Sequence, residues 1–496
     1  RMSRGLGDVY KRQLLTHAHI DHSGLIPLMY VNGFRGQVYS TSATAQLCEI
    51  MLRDSAHIQM FEAEWRNRKA ARSGGKLKEF VPLYDMDAAV NVCKQFVGCE
   101  YDRVYDIAEG IKIRFTDVGH LLGSASIEVW ATEKTENGDV TEKIVFSGDI
   151  GNINKPIIKD PKHVRDADYV VMESTYGNRS HGGTPNYVED LTDIFKRTFE
   201  RGGNVVIPSF AVGRTQELLY IIRKIKEDNL VGRDFDVYMD SPLAIEATNI
   251  FIKNVESCFD DEAVELVRKG INPLSFPGLK YATTGDESKQ INFDPNPKVI
   301  ISSSGMCEAG RIRHHLKHNL WRPECTIVFV GYQAVGTTGR IIVDGAEEIK
   351  LFGEPIQIKA EIVQLKGSSG HADKDGLLCW INAFDTKPKK VFVVHGEDSV
   401  CDEFTECLKE EYGYDAMAPY TGGSYDLIAD RVISEGVKER KTRRTTSTQR
   451  GKTVFDRLVA AGKRLMTVIT HNEGGTNKDL AKFTDQINAL CDKWDR

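Results

Sequence analysis

The chain has 496 residues, more than one ordinary core accommodates and enough for two domains with a smaller appendage. Hydrophobic residues make up 41% and charged residues 27%, and no apolar run reaches the roughly 18 residues of a membrane helix, so the expectation is a globular protein with no membrane contact. The formal charge of -6 excludes a nucleic-acid binder that works through overall basicity; a polyanion would have to be met by a local basic groove or by bound metal.

In chain order, Arg1 to Gln13 is basic and punctuated by glycine and does not read as the start of a compact domain. The next segment, Leu14-Leu15-Thr16-His17-Ala18-His19-Ile20-Asp21-His22-Ser23-Gly24, concentrates three imidazoles and a carboxylate in six positions. Core packing rarely produces that cluster, whereas imidazole and carboxylate are the ligands that suit a zinc-type ion. Arg66 to Lys78 reads as a solvated helix and loop.

Short runs rich in β-branched and aromatic residues then alternate with amphipathic stretches, the pattern of α/β layering. Ile144 to Phe146, Tyr169 to Met172, Asn204 to Ile207, Val299 to Ile301, Ile327 to Val330 and Val391 to Val394 are the clearest predicted strands. After Pro208-Ser209-Phe210, residues Leu218, Leu219, Ile222 and Ile225 fall on one face at helical spacing, with Gly213-Arg214-Thr215 as the helix start. In open α/β sheets ligands bind beyond the carboxyl ends of strands, so the polar residues that close these runs carry the chemistry. They include His120, Asp149, Glu173 and His395, joined by His371 in Ser368-Ser369-Gly370-His371-Ala372-Asp373. The long interval between Asp149 and His395 leaves room for an inserted domain.

The tail changes character after about residue 431. Lys438 to Lys452 reads as a linker, and Leu480, Phe483, Ile487, Leu490 and Trp494 behind Asn477 predict an amphipathic terminal helix. Its apolar face needs a cover, and a second copy of the chain, giving a homodimer, is the expected one. The ten cysteines are scattered, form no C-x-x-C pair and accompany no signal peptide, which predicts reduced thiols in the cytoplasm.

The series His-x-His-x-Asp-His, then a single His, then Ser-Gly-Asp, then a late His resembles the ligand series of metallo-β-lactamase-fold hydrolases. The resemblance implies two zinc ions, one held by His17, His19 and His120 and the other by Asp21, His22 and His395, with Asp149 bridging. Such a pair activates a water and neutralises phosphodiester oxygens. Glu173 in Glu-Ser-Thr-Tyr-Gly, His371 and His395 further resemble the three motifs of the β-CASP branch, as do Phe210 to Glu217, Asp240 to Ala244, Ser304-Gly305-Met306 and Gly331-Tyr332-Gln333. The likeness runs from about Leu14 to about Leu427.

What this branch implies is a four-layered αββα metallo-β-lactamase fold with an inserted α/β β-CASP domain, divided as residues 14–180, 181–361 and 362–430. Residues 1–13 stand outside the family and 431–496 form a basic linker with a helical extension. The expected activity is hydrolysis of RNA, probed as a single strand, with His371 as the general acid, Glu173 as its partner and Asp21 and Asp149 at the metals. Endonuclease and 5′ exonuclease action both remain open. A histidine at the His395 position resembles the RNA-processing members, in particular the endonuclease subunit of eukaryotic cleavage and polyadenylation factor and its prokaryotic relatives.

Arg214, Ser304 and Arg311 are expected to position phosphates. The remaining histidines (His57, His163, His181, His314, His315, His318 and His471) are read as surface or packing residues. Family members carry several strands and an aspartate ahead of the first histidine motif, whereas sixteen residues precede His17 here; the resemblance therefore implies that the native N-terminus is missing. Rival readings are a metallo-hydrolase of a small ester, lactam or thioester, a DNA nuclease, and a silent scaffold of an RNA-processing complex.

Overall fold

The computed structural model describes residues 12–72, 79–136, 138–180, 182, 186–365 and 369–437, together with 462, 465–466, 468–469 and 477–494. The expected linker Lys438 to Lys452, His181 and His471 lie outside the described residues, as does 73–78 of the expected charged loop. The chain divides into two compact units, Arg1–Gly436 and Val437–Arg496.

Two sheets lie at the centre of the first domain. A parallel three-stranded sheet runs in the order Arg12–Leu14, Gln37–Thr41, Phe96–Cys99. A seven-stranded sheet runs Ala416–Met417, Lys390–Val393, Tyr169–Met172, Gly138–Phe146, Ala125–Thr135, Ile111–Asp117, Val104–Ala108, parallel through its first four strands and antiparallel beyond. Tyr39 and Cys99 from the first sheet pack with Ile113, Phe115 and Ile127 from the second. The far face of the larger sheet is sealed by Leu377, Trp380, Phe404 and Leu408 of the helices Lys374–Ile381 and Asp398–Glu410. The far side of the smaller sheet is covered by Leu47, Leu52, Ala89 and Val92 of Ser42–Arg72 and Met86–Cys93. The result is the expected αββα layering. Each fully buried side chain of this size contributes about 1.5–3 kcal/mol.

The inserted domain is a six-stranded, all-parallel sheet in the order Leu279–Tyr281, Asp236–Asp240, Lys298–Ser302, Val205–Pro208, Thr326–Phe329, Glu361–Gln364. Its central strands are buried on both faces, hence their continuous Val and Ile runs. Helices start where the residues allow it. Ser241 accepts from Ala244 N at 3.2 Å ahead of Pro242, and Gly213, at φ 85, stands before Arg214–Glu227. The apolar core is continuous from Leu47 and Leu121 to Leu218, Ala247 and Phe251, and Asn254 Nδ2 donates to Gln46 Oε1 at 2.9 Å, which ties the insert to the first domain's long helix.

Two strands lie across the expected boundaries. Arg12 and Gln13 belong to the first strand, opposite Gln37 and Val38, so ordered pairing begins before residue 14. The strand Glu361–Gln364 pairs with Thr326–Phe329, so the insert's sheet extends past residue 361. Neither edge strand has a long apolar run to mark it. The terminal helix spans Asn477–Trp494. No described helix is long and apolar enough to cross a membrane.

Candidate active site

Every expected metal-binding residue follows a strand or sits in the turn after one. His17 to His22 follow Arg12–Leu14, His120 follows Ile111–Asp117, Asp149 follows Gly138–Phe146 and His395 follows Lys390–Val393. Ser23 Oγ donates to the carbonyls of Ala18 and His19 at 2.9 and 3.0 Å, which curls the first segment into the short helix Ile20–Ser23. Gly148 has φ 59, and a Cβ there would lie 2.9 Å from Thr16 Cβ and 3.0 Å from the Ala125 carbonyl. Only glycine lets the Asp149 turn rest against the His17 segment.

Asp149 is the hub. Its Oδ2 lies 3.3 Å from His17 Nε2 and 3.5 Å from His120 Nε2, and its Oδ1 lies 3.3 Å from both His22 Nε2 and His395 Nε2. His19 Nδ1 and His120 Nε2 are 3.0 Å apart. One atom from each of His17, His19, His120 and Asp149 falls within 4.8 Å of the others, and the same holds for Asp21, His22 and His395. The structure thus brings the seven residues together in two adjacent groups. The first is buried but for the half-buried His19, whereas Asp21 is 62% and His395 37% exposed, so the second group is the more open.

The donors fit a metal. His17 Nε2, His22 Nε2 and Asp149 Oδ1 are buried without a hydrogen-bond partner, an arrangement that costs about 1–3 kcal/mol per atom unless something else takes the lone pairs. Burial lowers the pKa of His17, and lowers those of His19 and His120 well below the usual histidine range, the last two helped by the charges of His17 and His371 respectively. Neutral imidazole is the form that ligates. Thr16 Oγ1 lies 3.1 Å from His17 Nδ1 and the Gly370 carbonyl 3.1 Å from His120 Nδ1, leaving each Nε2 lone pair for the site. Burial would raise the Asp149 carboxyl, but the His17 and His22 rings that face it outweigh that and hold it well below the usual range.

Beside this cluster His371 Nδ1 lies 3.1 Å from each oxygen of the buried Glu173 carboxylate, and its Nε2 lies 3.9 Å from Asp149 Oδ2. Glu173 is itself fixed by the amides of Ile150 at 2.6 Å and Thr175 at 3.2 Å. The Ala372 amide donates to the Ile150 carbonyl at 2.7 Å, so the Asp149 and His371 loops are stitched together. Asp373 caps Lys374–Ile381 by accepting from Gly376 N at 3.0 Å and so fixes where the chain enters the helix, two residues after His371. Burial would lower the His371 pKa, but the Glu173 charge outweighs it and raises it.

The expected phosphate contacts fare differently. Arg214 pairs with Glu217 and lines a cleft of about 630 Å³ with Asn152, Lys155, Tyr220 and Ser369. Ser304 Oγ accepts from Glu308 N at 3.2 Å. Arg311 is taken up within the insert, donating to Asp240 Oδ1 at 2.7 Å and to the carbonyls of Ala282 and Thr283 at 2.9 and 2.8 Å. The guanidinium is thus engaged by the insert's own oxygens in this structure. His315, read as a surface or packing residue, is a buried hydrogen-bonding one, with Nε2 2.6 Å from Asp240 Oδ2. Lys155 escaped sequence reasoning altogether. Its Nζ donates to the His120 carbonyl at 3.0 Å and meets Glu217 at 3.1 Å, and a lone lysine in a turn carries no periodic or motif signal.

Comparison with known proteins adds to this geometry. Residues 215–342 match the Beta-Casp domain and residues 355–419 match the family described as a Zn-dependent metallo-hydrolase RNA specificity domain. The chain is 34% identical over 385 residues to Ribonuclease TTHA0252 of Thermus thermophilus, covering 78% of this chain and 81% of the relative. It is 31% identical over 388 residues to an RNase J-like protein of Methanocaldococcus jannaschii, covering 77% and 81%. Identity to transcription termination factor FttA of Methanosarcina mazei is 32% over 415 residues, 82% of this chain but 61% of that longer relative.

Proposed function

We propose, of a chain that belongs to the β-CASP family of metallo-β-lactamase-fold nucleases, that it hydrolyses RNA phosphodiester bonds and that the residues around Asp149 and His371 carry the reaction. The observation behind this reading is the contact of His371 Nδ1 with Glu173 beside the two donor groups that share Asp149. A matched domain described by RNA specificity and relatives named as ribonucleases support RNA as the polymer.

In this reading His17, His19 and His120 hold one zinc, Asp21, His22 and His395 the other, and Asp149 serves both. When bound, the ions supply Lewis acidity toward the phosphodiester and acidify a water nucleophile. The chain's own residues do the rest. The Nδ1 proton of His371 is held by Glu173, which fixes the ring and favours its charged form; Nε2 then delivers a proton to the departing alkoxide. The buried donors at the base of the site suit an unpaired strand, whose backbone can bend toward them. The neighbouring cleft lined by Arg214, Lys155 and Ser369 offers the polynucleotide a route away from the metals.

The test is to load the full chain with zinc and assay labelled single-stranded RNA beside its DNA counterpart, with and without chelator. Metal-dependent cleavage of RNA in preference to DNA is expected. Preferential cleavage of DNA, or hydrolysis of small esters with neither polymer cut, would replace this reading.

A further inference from the structure

Lys155 stands between the metal cluster and the inserted domain. Its side chain is 11% exposed, and its ammonium group donates to the main-chain carbonyl of His120 at 3.0 Å and pairs with Glu217 Oε1 at 3.1 Å. Glu217, 8% exposed, also holds Arg214, so one buried carboxylate serves two cations. Both Arg214 and Glu217 belong to the first turn of the insert's helix Arg214–Glu227. A second contact runs in parallel: a Cβ on Gly213, the residue before that helix, would come within 3.0 Å of Leu121 Cδ1, immediately after His120.

A buried ion pair is weak evidence for stability, since well-packed apolar groups often serve as well. What the charged amine does here that an apolar chain cannot is to bond the His120 carbonyl and the insert at once. The turn that presents it is held in unusual backbone geometry, with Asn154 at φ 56 and Ile157 at φ 81 on either side. A β-branched residue avoids that region unless its surroundings impose it. They do: Asn154 N donates to Asp160 Oδ1 at 2.7 Å, and the Ile157 carbonyl accepts from Asp260 N of the insert at 2.7 Å. His120 is then fixed at three points, its ring by Gly370, its amide by Ser124 Oγ at 3.0 Å and its carbonyl by Lys155.

We infer that Lys155 is a positioning residue that makes docking of the inserted domain, through Glu217, a condition for holding the metal ligand His120 in place. The inference rests on the metal-site reading above but not on the identity of the substrate. Loss of the ammonium group frees the His120 carbonyl and loosens one ligand of the buried group; loss of the Glu217 charge does the same from the other domain.

The experiment compares the zinc-loaded full chain with Lys155→Met, Lys155→Arg and Glu217→Gln. Zinc release into a chromophoric chelator is read together with melting temperature and with kcat and KM on RNA. Both Lys155→Met and Glu217→Gln should release zinc about tenfold faster or more, the scale on which outer-shell partners tune metal affinity. Lys155→Arg should stay close to the wild type, and kcat should fall more than KM. Unchanged release in Lys155→Met would overturn the inference. So would equal losses in Lys155→Met and Lys155→Arg with a lowered melting temperature, which mark packing alone, and so would faster release in Lys155→Met with none in Glu217→Gln, which removes the inserted domain. If Lys155→Met fails to fold, Glu217→Gln carries the test. If the wild type cleaves no RNA, zinc release still decides the question.

Discussion

His371 Nδ1 lies 3.1 Å from both carboxylate oxygens of Glu173, a residue 198 positions earlier in the chain. The contact fixes the ring nitrogen that keeps its proton and turns the other toward Asp149. His371→Ala should therefore lower kcat about 10²- to 10⁴-fold, the range of general acid catalysis, while zinc content stays at the wild-type level. Steady-state kinetics on labelled RNA with metal analysis of the same samples checks this; a loss of only a few fold would take the acid role from His371.

Asp149 Oδ2 faces His17 and His120 while Oδ1 faces His22 and His395. Asp149→Asn should weaken both donor groups together, whereas His395→Ala should spare the buried one. Metal analysis after dialysis is expected to find the larger loss in Asp149→Asn, with one ion per chain retained in His395→Ala if the site takes two. Equal retention by the two variants would contradict a shared carboxylate.

Glu128 is the charge on which the larger sheet's hairpins converge. It meets Arg114 through two bonds of 2.7 Å, Lys143 at 2.8 Å and Thr116 at 2.8 Å. Burial would raise its pKa, but those partners outweigh it and lower it below the ordinary 4.5. A carboxyl depressed in the folded state contributes stability that is complete above the unfolded value and lost as pH falls through the folded one. Glu128→Gln should cost about 3 kcal/mol at neutral pH, and the gap to the wild type should close as pH falls below about 4.5. Denaturant titrations at several pH values measure it; a gap that widens in acid would refute the assignment.

Asp240 holds Arg311 through Oδ1 and His315 and Ser288 through Oδ2, at 2.7, 2.6 and 2.5 Å. Arg311→Ala should lower the melting temperature and leave KM for RNA near the wild-type value, since the guanidinium serves the insert rather than the substrate. A KM that rises tenfold with the melting temperature unchanged would return Arg311 to the phosphate-binding role.

The strands were legible because central parallel strands are buried on both faces and must read as unbroken apolar runs, as Val205–Pro208 and Thr326–Phe329 do. The edges were not. Arg12–Leu14 and Glu361–Gln364 each pair on one side and carry polar residues, so their membership depends on Gln37 and Thr326, far along the chain.

By itself the sequence marked the candidate residues of the site, because residue type and position after a strand are local properties. His17, His19, His22, His120 and Asp149 declare themselves by identity and spacing. Only the tertiary structure decided what Arg311, His315 and Lys155 bond to. An arginine or lysine in a loop is committed by whichever carboxylate folding brings within 3 Å or so, and Asp240 and Glu217 are 71 and 62 positions away. That choice is made by long-range packing of strands and helices, which no local pattern of residues records.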